Sequence, residues 1–392
     1  VDERLRNWTV LAGCFLLSVG ANGFIIAPSS IVPLFVERYG ITQAMVGDAV
    51  SVTFVGLILT QIPSGFLLNR FDNRAIVVPA ALLYVLLAVA MQRIDGYEMF
   101  LVSRVLGGVL VGLVFTGGAN IVGQVVPAGQ QGTATGLYLT SPPASFALAH
   151  VTSPIVGPAY GALSVFLVHA GVTVVGMVLF VAAARTPIRS AASPSAGEFV
   201  AALRNRSVLF VSLSAFAAYA LYVFLNTWLP TYGHEMLSLS LADAGVVTAA
   251  VPLVGILARS GGGWLSSRIG GRRKPVLVAG LGLGLVLFLL IPFSGTVVLF
   301  VLLAVGAGFA VQLGSGVYFV WTRELATGGT EATSLTVLTT ILFMGSFSAP
   351  IGGGWLISTY SWTVAIVAFT AVGALGVFAL LPIPDRGASR PD

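Results

Sequence analysis

Long apolar runs separated by short polar breaks set the pattern of this chain. Twelve such runs recur, over residues 8–36, 44–68, 75–93, 99–125, 133–157, 160–184, 207–230, 242–266, 276–293, 296–321, 332–356 and 361–382. Each has the length that a helix needs to cross a hydrocarbon layer about 30 Å thick. The runs are apolar on every face and lack the ten-residue alternation of a membrane barrel. The pattern therefore predicts an all-α membrane protein with twelve transmembrane helices.

Composition agrees with that reading. Hydrophobic residues make up 57% of the 392 positions and charged residues only 8%, with a mean hydropathy of +0.97. No ordinary soluble core hides so much apolar surface. The 47 glycines fit membrane helices, where small residues let backbones approach, as in RVLGGVLVGLVFTGG from Arg104 to Gly118. A single cysteine, Cys14, excludes an intrachain disulfide and says nothing of redox compartment. No small-residue cleavage site follows the first run, which is expected to be retained rather than removed as a signal peptide.

Charge sets the expected orientation. With the N-terminus inside, fifteen of the nineteen lysines and arginines fall in inner segments and two, Arg38 and Arg93, in outer ones. Both termini are therefore expected in the cytoplasm of a multi-pass cell-membrane protein. The net charge of +5 records this topology and is not a nucleic-acid footprint. The remaining two cations, Arg104 and Arg259, lie within spans.

The chain also repeats itself. A shift of 198 residues lays Gly65, Leu67, Arg70 and Arg74 on Gly263, Leu265, Arg268 and Arg272, and Gly47 on Gly245. At a shift of 197, Pro33 meets Pro230; at 192, Gly157 and Pro158 meet Ala349 and Pro350. Corresponding sites in order mean two homologous halves. The sequence predicts an N-terminal six-helix bundle over 1–185, a linker rich in Pro, Ser and Ala over 186–206, and a C-terminal six-helix bundle over 207–392.

At this point the chain resembles the major facilitator superfamily over nearly its whole length. The resemblance rests on the loop signatures like G-x-L-x-D-R-x-G-x-R at Gly65 to Arg74 and Gly263 to Arg272. It rests also on Arg104 followed by Gly107 and Gly108, on G-P-x-x-G from Gly157 to Gly161, and on the counterpart GSFSAPIGGG in the eleventh span. It implies two six-helix bundles around a cavity that opens alternately to either side, with the substrate site near the midplane. In the family the loop aspartate faces a helix N-terminus and helps latch one state. Asn69 and Ser267 stand there in this chain, and Asp72 is the one carboxylate placed to compensate. Gly65 and Gly263 are expected to let backbones touch at a tight helix exit. Arg70, Arg74, Arg268 and Arg272 are expected to stay at the anionic inner surface and gate it. Simple positive-inside anchoring explains the same cations. Gly157, Pro158 and Pro350 mark helix-bending positions, and Pro142 and Pro143 are expected to interrupt the fifth span.

Charges inside a membrane are costly and are kept where they face a cavity or a partner. Every acidic residue falls in a loop, a terminus or a first helical turn, with Asp48 and Asp243 opening the second and eighth spans. A carrier of cations needs an interior carboxylate, whereas a guanidinium in a wet cavity attracts anions. Arg259 is thus the leading substrate residue, or else an arginine that snorkels. Arg104 is a candidate for coupling, or a structural group bonded to helix backbone as in the family. His150 is a proton carrier or a neutral polar residue, and His169 is a weaker candidate. Further substrate-binding candidates, on spans that line the cavity in the family, are Asn22, Asn120, Tyr219, Tyr222, Asn226, Gln312 and Tyr318. Steps of three and four put Tyr219, Tyr222 and Asn226 on one helix face.

The stretch N-T-W-L-P-T-Y, Asn226 to Tyr232, resembles the seventh-helix end of the family's nitrate, cyanate and organic-anion branches. Gln61 stands where the nitrate carriers have a helix 2 arginine, and their asparagine signatures are missing. The expected function is secondary transport of a small or organic anion by alternating access, as a symporter or antiporter, with a proton as the candidate coupling ion. An exporter of neutral or amphiphilic compounds is the alternative, supported by the G-P motif, and a non-transporting membrane sensor is a remote one. No cofactor, metal site, nucleic-acid partner or enzymatic motif is expected, the partners being a small anionic substrate and membrane lipid around a monomer.

Overall fold

A computed structural model describes residues 3–188, 201–327 and 329–385. The chain divides into two compact units, residues 1–193 and 194–392. The linker expected over 186–206 lies mostly outside the described residues.

Among the described residues the first unit holds α1 (Glu3–Ile26), α2 (Val32–Tyr39), α3 (Gln43–Arg70), α4 (Arg74–Ala90), α5 (Tyr97–Val125), α6 (Gln131–Tyr138), α7 (Ser141–Tyr160) and α8 (Val165–Ala183). The second, after a helical stretch over 201–204, holds α9 (Arg206–Leu237), α10 (Leu241–Arg268), α11 (Lys274–Leu289), α12 (Val297–Leu325), α13 (Glu331–Thr359) and α14 (Trp362–Leu380). Among the described residues there is no strand. Side-chain oxygens cap the helix starts where the polar breaks supply them: Thr42 for α3, Asn205 for α9, Ser240 for α10, Thr296 for α12 and Ser361 for α14. Each takes at least one of the backbone N–H groups that a first turn leaves without an acceptor, Asn205 taking two.

Eleven stretches of the described residues are long and apolar enough to cross a membrane. The twelfth expected run, 133–157, is the exception, because it breaks into α6 and α7 and carries Ser141, Ser145, His150 and Ser153 on buried positions. At about 1.5 Å per residue α7 still spans about 30 Å. Pro142 and Pro143 interrupt the fifth span as expected: α6 ends at Tyr138 and α7 begins at Ser141, with both prolines in its first turn, where a missing N–H costs nothing. The first run is also broken: α1 ends at Ile26, a short 3-10 turn covers Ala27–Ile31, and α2 follows. Pro28 explains the break, since it has no N–H to offer the Phe24 carbonyl four residues back.

In the first unit α1 packs against α8, α5 and α7, and α3 against α5; in the second, α9 packs against α13, α14 and α12, and α10 against α12. The α3 and α5 backbones meet through Gly56 and Gly108: a Cβ on Gly108 would collide with the Thr53 carbonyl, and one on Gly56 with the Val105 carbonyl. That contact brings Arg104, one turn before Gly108, against α3 and the end of α1.

Candidate functional site

Arg104 is fully buried. Its Nε donates to the Ala49 carbonyl at 3.0 Å, Nη2 to the Ile25 carbonyl at 2.6 Å, and Nη1 to the Phe24 carbonyl. The guanidinium also lies 4.5 Å from the Phe24 ring centroid and 5.4 Å from that of Phe166. The arginine thus feeds donors to the chain where Pro28 has removed one, which is the backbone-bonding arrangement left open by the sequence. Pro28 was the signal: a proline late in an apolar run frees a carbonyl, and a buried donor must answer it.

Beyond this clamp runs a polar seam between α1 and α7. Ser30 Oγ lies 2.7 Å from His150 Nδ1, Ser18 Oγ 2.6 Å from Ser141 Oγ, and Ser145 donates to the Val19 carbonyl. Asn22 gives its amide to the Ser18 carbonyl and hydroxyl at 2.9 and 3.1 Å. The seam was missed in the sequence because single serines in apolar runs carry no periodic signal. Asn120 is half-buried on α5. His169 is fully buried on α8 against Gly23, and neither ring nitrogen has a partner among the described residues.

The second unit gathers more of the expected substrate residues. Arg259, half-buried on α10, holds its guanidinium carbon 6.0 Å from the Tyr222 ring centroid. The Tyr222 hydroxyl faces the Gln312 and Asn226 side chains, and Tyr219 lies near it. Gln312 rests over Gly255, one turn before Arg259, and its Oε1 accepts from Ser315. Asn226 donates to the Tyr222 carbonyl of its own helix at 2.8 Å. Tyr318 is buried one step aside, its hydroxyl 2.9 Å from Ser214 Oγ. Arg259, Tyr222, Asn226 and Gln312 therefore converge, with Tyr219 and Tyr318 beside them; Asn22 and Asn120 belong to the first unit.

The two basic loops follow one plan. In the first unit Arg74 forms an ion pair with Asp72 at 2.8 Å and donates to the Ala184 carbonyl past the end of α8. Asp72 also accepts the Ile188 N–H at 3.0 Å. In the second, Arg272 pairs with Asp385 at 3.0 Å, Arg273 forks onto Glu324 at 2.8 and 3.2 Å, and Lys274 donates to the Leu381 and Ile383 carbonyls. Each half thus ties the start of its third span to the end of its sixth. Glu324 and Asp385 were not singled out from the sequence, where nothing marks them as partners of the loop. Arg70 and Arg268 take neither role and lie over the rings of Phe71 and Trp264, at 6.0 and 4.7 Å.

Two expectations need correction. Gly65 and Gly263 do not serve close packing within their own units, because a Cβ on either meets nothing within 4 Å. Asp48 does not open its helix but sits in the second turn of α3. Pro158 and Pro350 lie inside α7 and α13, where each removes a backbone donor from a continuing helix, and Gly157 packs against Ile31 and Leu34.

Asp72 gives a pH dependence. Burial raises its pKa, but hydrogen bonds from the Arg74 side chain, the Ile188 N–H and the Arg74 N–H, with the Arg74 charge, outweigh burial and leave it below the usual carboxylate range. A depressed folded pKa stabilises the protein above the unfolded value, about 3.9, and that stabilisation is lost as pH falls through the folded value. Wild type should therefore melt above Asp72→Asn at pH 7, and the gap should close below about pH 4. A gap that is constant with pH in melting curves would deny the ion pair its role.

Comparison with known proteins accords with this architecture. The family model described as Major Facilitator Superfamily matches residues 11–311 and 262–392. An uncharacterized MFS-type transporter of Mycobacterium tuberculosis (strain CDC 1551 / Oshkosh) is 24% identical over 96% of this chain and 84% of its own length. A protein named nitrite extrusion protein, from Bacillus subtilis (strain 168), is 25% identical over 70% of this chain and 69% of its own. The 4-hydroxybenzoate transporter PcaK of Pseudomonas putida is 26% identical over 67% of this chain and 66% of its own. With the family model covering nearly every helix of both units, the chain belongs to the Major Facilitator Superfamily and is a multi-pass membrane transporter of that family.

Proposed function

We propose that this transporter moves a small or organic anion across the cell membrane by alternating access, with both termini cytoplasmic and Arg259 as its principal substrate cation. One observation carries the reading. Arg259 is an interior cation set among Tyr222, Asn226 and Gln312, while no acidic residue among those described lies in the middle of a long helix. Such a site attracts negative charge and has no carboxylate of its own to hold a cation. The names of two relatives, a nitrite extrusion protein and a 4-hydroxybenzoate transporter, support the same sign of substrate. Arg104 is assigned to holding the broken first span, its donors being engaged by backbone. His150, hydrogen-bonded to Ser30, is the group assigned to proton coupling.

Binding tests the sign of the substrate. A ligand at a hundredfold its Kd stabilises the folded state by about 2.7 kcal/mol. Detergent-purified protein should melt higher with nitrite, acetate or benzoate and not with tetraphenylphosphonium, and Arg259→Ala should remove the shift. Stabilisation by the lipophilic cation alone would favour the other reading, an exporter of amphiphilic compounds, for which the G-P-x-x-G turn of α7 speaks.

A further inference from the structure

We infer that the Arg259 site selects a planar monoanion with an aromatic body, an arenecarboxylate, over inorganic and aliphatic anions of the same charge. The inference rests on the anion reading above and adds what the anion must look like.

Charge comes first. Among the residues that converge here, Arg259 is the one formal charge, so a monoanion balances the site and a dianion does not. Donors come next. Gln312 is 1% exposed, its Oε1 is occupied by Ser315, and its side-chain amide lies against the Tyr222 hydroxyl. The planar guanidinium of Arg259, on α10, is the group whose geometry suits the acceptor-only oxygens of a carboxylate.

The aromatic groups decide the body of the ligand. Tyr222 already lies under the guanidinium, and Tyr219, three residues earlier on α9, is half-buried and so presents part of its ring. Tyr318 stands near Tyr219 and is buried, its hydroxyl engaged by Ser214. A flat ring joined to a carboxylate on Arg259 finds aromatic faces beside it, where nitrite or acetate finds only the charge. Ring pairs add stabilisation beyond area burial, equivalent to roughly fivefold in affinity.

Calorimetric titration of the full-length protein in detergent at pH 7 separates the two claims. The probes are benzoate, cyclohexanecarboxylate and acetate, the first two matched in size and charge. The expected result is a Kd for benzoate about fivefold below that for cyclohexanecarboxylate, and lower still against acetate. Tyr219→Leu should bring the two ring acids level and keep binding, while Arg259→Ala should lose both. Equal affinity of the two ring acids in wild type would overturn the aromatic inference and leave the anion reading standing. Absence of any Arg259-dependent anion binding would overturn both. Circular dichroism and melting of each variant confirm that the fold is retained, and if Tyr219→Leu fails to fold, Tyr219→Phe, which keeps the ring, should retain the benzoate preference; its loss there overturns the inference as well.

Discussion

Arg104→Leu should prevent most of the protein from accumulating in a folded, monodisperse form, and the fraction that folds should melt far below wild type. The Phe24 carbonyl has no helical donor because Pro28 stands four residues on, and Arg104 is the group that bonds it. The Ile25 carbonyl receives a second donor from the same side chain, and Ala49, across on α3, a third. Each buried carbonyl left without a donor costs about 1–3 kcal/mol, against a total stability of about 5–15 kcal/mol. Arg104→Lys keeps the charge but replaces a planar fork of five donors by one compact ammonium of three, which does not reproduce the separate reaches to Phe24, Ile25 and Ala49. It should fall between the two. Detergent solubilisation followed by size-exclusion chromatography and melting reads the order directly. Wild-type stability in Arg104→Leu would mean that the break in the first span is held by something else.

The fold was legible because its signal is collective. Twelve runs of apolar residues and a repeat at a shift near 198 survive any single substitution, and lipid leaves helices as their main solution. The exception, the fifth run, shows what the pattern misses: its serines and His150 lower hydropathy because they serve the seam with α1, and packing alone says which face they use. The site was legible in part. Tyr222 and Asn226 share a face by their spacing, and Arg259 stands out by the cost of its charge, yet nothing in the sequence brings Gln312 of α12 to them. Gly255 does that, by leaving room for the Gln312 side chain. The glycines of the two loop signatures illustrate the opposite limit. Their pattern identifies the family, but the close approach inferred for them within each unit is absent, and the cations beside them do the tying instead.

The second large effect concerns the field around Arg259. A unit charge about 7 Å from a reacting group, at the dielectric constant of about 80 of a water-filled chamber, shifts its interaction with a singly charged reagent by about 0.6 kcal/mol, in opposite senses for the two signs, hence by about 1.2 kcal/mol and close to tenfold in rate between them. Tyr219 is half-buried beside the cluster, and the native thiol, Cys14, is buried, so Tyr219→Cys introduces a reporter that is read separately. Arg259→Gln removes the charge and keeps a side chain of similar polarity.

The most direct test is therefore the rate of modification of Tyr219→Cys by an anionic and a cationic thiosulfonate, each normalised to its rate with a small free thiol. An Arg259 site built for anions predicts that the anionic reagent is favoured, about tenfold, and that Arg259→Gln abolishes the preference. A preference for the cationic reagent, or one that Arg259→Gln leaves unchanged, would contradict it.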